Sequence, residues 1–89
     1  SFMKLRNIVG INLKYYRYKS GLSQEKFYLG LELNPKYLAK VERGKANISF
    51  DYVEELAKKL KVHINDLILY NENHVIDKKR IDEKQKVNN

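Results

Sequence analysis

The chain contains no cysteine, a single proline, one methionine and only four glycines among its 89 residues. Without cysteine there is no disulfide framework, no thiolate nucleophile and no Cys-ligated zinc, so the core must hold by packing alone. No apolar run approaches the roughly 20 residues that a membrane-spanning helix needs. The N-terminal stretch lacks the charged-then-apolar layout of a secretory signal, and Ser1 and Phe2, which precede Met3, are read as an expression remnant. There is no phosphate-binding glycine loop, and Ser23 lacks a His and an acid arranged for nucleophilic catalysis. His63, expected in the first turn of a helix, and His74, expected in a tail, each lack a second ligand at metal spacing. No enzyme activity, metal or cofactor is therefore expected.

What the chain has is positive charge. Eighteen Lys and Arg against eleven Asp and Glu give a formal charge of +7, with an isoelectric point near 9.6. Such a surplus favours an anionic partner, either nucleic acid or an anionic membrane surface. No helix pairs a basic face with a bulky exposed apolar face, which argues against the membrane. At this length there is room for one small domain with one modest core. A cytoplasmic, nucleoid-associated protein is the expectation, and lysine outnumbering arginine fourteen to four hints at an AT-rich bacterial or phage genome.

The apolar spacing predicts an all-α fold of five short helices. Leu5, Ile8, Val9, Leu13 and Tyr16 recur at three- and four-residue steps, predicting a helix from about Leu5 to Lys19 that stops at Gly21. Ser23 can cap a second helix, with Phe27, Leu31 and Tyr28 on its apolar side. Asn34 and Pro35 form a strong start signal for a third, which ends at Gly44 with Leu38 and Val41 on its buried side. Ser49 caps a fourth, whose inward face is Val53, Leu56, Ala57 and Leu60. A short fifth runs from about His63 to Leu69. The folded domain is expected over residues 3–70. From 71 to 89 the composition turns polar and charge-dense, as in a charged tail or a marginal helix, and most of the positive charge stays with the domain.

Two short helices joined by a tight turn, the second showing basic residues outward, fit the helix-turn-helix arrangement. In that arrangement the second helix enters the major groove, and side chains near its N-terminus reach base edges. Ser23-Gln24-Glu25 and Glu42-Arg43-Gly44-Lys45 stand in register with Gly10, Leu13, Leu56-Ala57, Leu60 and Leu67. With these residues the chain from about Leu5 to Leu69 resembles the XRE family of phage-repressor and Cro-like, lambda-repressor-like helix-turn-helix regulators. The resemblance implies base readout by Lys36, Tyr37, Ala39 and Lys40. It implies phosphate contacts by Ser23, Gln24, Asn34, Arg43, Lys45 and Asn47, and a structural ion pair between Arg17 and Glu42. Proline at 35 cannot donate to a base, so readout should shift to Lys36, Tyr37 and Lys40.

Two positions depart from the family pattern. Tyr28 stands where relatives usually have a small alanine, which leaves the angle between the second and third helices open. Glu32 stands where they usually have the turn glycine, so it must force a different turn or adopt the left-handed conformation. Function is expected to be sequence-specific DNA binding by a homodimeric regulator, a repressor, with Phe50, Ile64, Leu69 and Tyr70 at the dimer interface. Tyr15, Tyr16, Tyr18 and Tyr52 are expected to pack on the core with their hydroxyls in water. The competing reading is an antitoxin-type module of the same fold whose main partner is a protein.

Overall fold

The structure, a computed structural model, describes residues 2–76; residues 77–89, most of the expected tail, lie outside the described part. Five α-helices follow one another: α1 Leu5–Ser20, α2 Gln24–Gly30, α3 Pro35–Glu42, α4 Phe50–Leu60 and α5 Asn65–Ile68, with a 3-10 turn at Glu72–His74. No strand occurs among the described residues. The helix starts are set by side chains: the hydroxyls of Ser23 and Ser49 accept from the N–H groups of Lys26 and Tyr52, satisfying donors that a helix start leaves free. The fifth helix is shorter than expected. His63 sits outside it, because Asp66 Oδ2 accepts from the His63 N–H at 2.9 Å and its own Nδ1 accepts from the Asn65 N–H at 3.0 Å.

α1 is the central element and packs against α2, α3 and α5. Val9 and Leu13 of α1, Leu38 and Val41 of α3, Val53, Leu56 and Ala57 of α4, and Leu67 of α5 form one buried cluster. Burying each of these leucines stabilises the fold by roughly 1.5–3 kcal/mol. Two assignments of the apolar pattern change. Leu5 is exposed rather than inward, at the open first turn of α1. On α2 it is Tyr28 that is fully buried, while Phe27 and Leu31 are only half-covered. Gly10 permits the close contact of α1 with α3: a Cβ there would lie 2.6 Å from the Val41 carbonyl oxygen and 2.8 Å from that of Glu42.

The turn between α2 and α3 keeps the path a glycine would give, with Glu32 in the left-handed region at φ 59°. The Leu33 N–H donates to the Tyr28 carbonyl and the Glu32 N–H to the Leu29 carbonyl, the paired closure of a Schellman motif. The same closure ends α3, where Lys45 and Gly44 donate to the carbonyls of Lys40 and Val41.

His74 is a core-edge residue, not a tail residue, and is only 8 % exposed. Asn12, buried on α1, donates its amide to the carbonyls of Leu67 and Leu69 at 2.8 and 3.0 Å. That fixes its oxygen toward His74 Nδ1, 2.8 Å away, so His74 must carry a proton on Nδ1. Its ring stacks on Tyr15 at 3.8 Å between centroids. A polar group on the buried face of α1 thus recruits the residues that follow α5.

Candidate nucleic-acid interface

The third helix is built to stand out from the core. Asn34 Oδ1 accepts from the N–H groups of Lys36 and Tyr37 at 2.9 and 3.2 Å, and Pro35 occupies the first turn where a missing N–H costs nothing. Leu38 and Val41 anchor one side. Lys36 and Lys40, four residues apart and therefore on one face, are exposed, and Ala39 is half-buried between them and the core. Tyr37 is half-buried too: its ring meets Tyr52 of α4 edge-on at 5.4 Å, so it bridges α3 to α4. Tyr15, Tyr16, Tyr18 and Tyr52 are all half-buried.

Arg43, Lys45 and Asn47 are exposed in the stretch that leaves α3. Gly44 turns the chain there with φ 70°, and a Cβ would meet Asn7 Oδ1 at 2.2 Å. At the starts of α2 and α3, the oxygens of Ser23 and Asn34 respectively are engaged as caps. Only donors, the Ser23 hydroxyl proton and the Asn34 amide, are left to offer to a phosphate.

Behind these residues lies a four-membered hydrogen-bond cluster on Glu42, the last residue of α3. Arg17 grips it with Nε to Oε2 at 2.8 Å and Nη2 to Oε1 at 2.9 Å, the side chains being 11 % and 4 % exposed. The Tyr28 hydroxyl donates to Oε2, and Gln24 Nε2 donates to Oε1 at 3.2 Å. Burial works against the Glu42 charge, but hydrogen bonds from Arg17, Tyr28 and Gln24 outweigh it and hold its pKa below the ordinary carboxylate value. The hydrogen bond to Glu42 likewise raises Arg17. Burial, then the bond to Glu42, pushes the Tyr28 hydroxyl far above its usual range, so it stays protonated as a donor. Sequence reading paired Arg17 with Glu42 but missed Tyr28. The available signal was that Gln24 and Tyr28, four apart on α2, share a face.

The residues expected at a dimer interface do not form one patch. Phe50, 79 % exposed, and half-buried Ile64 line an apolar groove with Leu5, Ile48 and Ile68. Leu69 and Tyr70, both exposed, line a separate depression beside residues 71–74. No helix among the described residues is long and apolar enough to cross a membrane.

A helix-turn-helix family profile, HTH_3, matches residues 13–67. The control protein C.BamHI of Bacillus amyloliquefaciens is 40 % identical over 50 residues, which are 56 % of this chain and 62 % of that protein. The match thus spans less than two thirds of the relative. Among solved structures, the hypothetical transcription factor NHTF from Neisseria superposes with a TM-score of 0.68 at 27 % identity, covering 94 % of this chain and 85 % of the other. With the five helices of its described residues, its capped third helix and these matches, the chain belongs to the HTH_3 family, the XRE type of helix-turn-helix proteins.

Proposed function

We propose that the protein is a sequence-specific repressor that reads the major groove with α3. The observation that carries this reading is the pair Lys36 and Lys40, exposed on one face of a helix whose opposite face is anchored by Leu38 and Val41. A lysine ammonium is a donor suited to guanine O6 and N7, and Ala39 can pack on a thymine methyl. Tyr37, held against Tyr52, contributes the edge of its ring and its hydroxyl. Arg43, Lys45 and Asn47 hold phosphates beyond the end of α3, and Gln24, Ser23 and Asn34 hold them at the starts of α2 and α3. The control-protein name of the Bacillus relative fits a regulatory role.

One eight-residue helix reads too few base pairs for useful discrimination, so the binding species is a homodimer on half-sites about 34 Å apart. The apolar groove beside Phe50 and Ile64 supports such an interface, while Leu69 and Tyr70 line a separate depression. Residues 3–70 make up the DNA-binding domain, and the charge-dense segment 71–89 that follows begins with residues that pack on α1 through His74.

Selection from a random duplex pool at physiological salt tests the proposal, because there non-specific phosphate binding is weak enough to expose base readout. The expected result is a palindrome whose half-site centres lie about one helical turn apart. Recovery of no enriched sequence would overturn the proposal in favour of a module whose main partner is a protein.

A further inference from the structure

The Glu42 cluster does more than hold two helices together. Arg17 reaches both carboxylate oxygens from α1, while Tyr28 and Gln24, one helical turn apart on α2, each take one oxygen. The plane of the carboxylate is therefore fixed from two sides. Gln24 is the first residue of α2 and half-buried. Because a carboxylate can only accept, the Gln24 carboxamide must turn its nitrogen toward Glu42, and this fixes the direction of its second N–H. A phosphate oxygen also only accepts, so an amide presented nitrogen-first is the orientation that a backbone contact requires.

We propose that Tyr28 is a positioning residue for DNA binding: its ring spaces α2 from α3, and its hydroxyl locks Glu42 so that Glu42 presents the Gln24 amide to a backbone phosphate. The inference rests on the DNA-binding reading above and adds a route by which a fully buried side chain sets a surface contact. The ring of Tyr28 is completely covered, so it touches no DNA itself. Without the hydroxyl, Oε2 keeps only the Arg17 Nε bond, and the carboxylate can pivot on the arginine fork away from Gln24. With a small residue instead of the ring, α2 would lack its spacer and the register between the Gln24 and Lys36–Lys40 positions would change.

Tyr28→Phe keeps the ring and removes only the hydroxyl. Two readouts on this variant separate positioning from simple stability. In the free protein, the side-chain amide resonances of Gln24 should move and its hydrogen exchange should speed up relative to the wild type. On an operator duplex, measured well below the melting transition, Tyr28→Phe should weaken binding roughly three- to tenfold, the range set by losing one hydrogen bond. The same change in a Gln24→Ala background should have almost no effect, because the two act through one contact. Additive losses in that double-mutant cycle would overturn the proposal, as would Gln24 resonances that stay in place. If no variant binds any duplex, the DNA-binding reading fails, and the Gln24 resonances alone still decide whether Tyr28 positions that amide.

Discussion

Lys40 and Lys45 are both exposed cations near the C-terminal half of α3, yet their substitutions should read out differently. Lys40→Ala should cost about 1–3 kcal/mol on the best site and relax preference at one base position, as for a base-edge donor. Binding titrations against a set of single-base variants check this, and equal weakening on every sequence would make Lys40 a phosphate contact. Lys45→Ala should weaken binding to all duplexes alike and lower the slope of log affinity against log salt by about one; an unchanged slope would remove it from the interface. Glu42→Ala strips Arg17, Tyr28 and Gln24 of their common acceptor. It leaves a guanidinium 11 % exposed without its partner and should destabilise the fold by about 2–4 kcal/mol. A melting point equal to wild type would mean that water replaces the carboxylate at no cost. At this scale the sequence shows which residues are special but not what they touch. Arg17 and Glu42 are legible through the family pattern. Tyr28 looks like a mere departure, and His74 like a tail residue, because their partners Glu42 and Asn12 lie 14 and 62 positions away.

Helix ends were the most legible elements, because the forces that set them are local. Ser23, Asn34 and Ser49 each accept from N–H groups two or three residues onward, and a cap of that kind depends on little beyond its own turn. Where side chains that do not look like caps take the first N–H groups the pattern misleads: the α5 region looks seven residues long, but Asp66 and His63 accept from the N–H groups of His63 and Asn65, and only Asn65–Ile68 is helical. The α2–α3 turn falls between these cases. Its closure pairs Leu33 and Glu32 with Tyr28 and Leu29 and demands a left-handed residue whatever its identity. Glu32 complies at φ 59° although its side chain disfavours that region. Glu32→Gly should therefore stabilise the protein by roughly 0.5–1 kcal/mol, the relief of strain being partly offset by the greater freedom of glycine when unfolded. Urea unfolding would show a higher midpoint with an unchanged slope. A lower midpoint would mean that Glu32 makes a contact worth more than its strain.

On the scale of the whole molecule, α1 gathers three kinds of support on one helix: apolar contacts through Val9 and Leu13, the ion pair at Arg17, and the polar clasp at Asn12. The clasp ties the end of α5 and residues 71–76 to the body of the domain, and it depends on protonation. Burial lowers the His74 pKa from the ordinary 6.5; Asp66 of α5 acts in the opposite sense, and Lys19 of α1 adds to the lowering. Around the ring, Tyr15 stacks, Tyr16 meets it edge-on, and Asn12 takes the Nδ1 proton. A depressed histidine pKa means that the unfolded chain binds the proton more tightly than the folded one. The stabilisation is therefore complete above pH 6.5 and is lost as pH falls through the lowered folded value. Glu42, held below 4.5, loses its contribution only at still lower pH, so the two windows are distinct. The melting temperature of the wild type should fall as pH drops below 6.5, while His74→Gln, which can still donate to Asn12 but cannot titrate, should be flat over that window. If both proteins lose stability in parallel, the ring is protonated without cost and the clasp is not the element that senses acid.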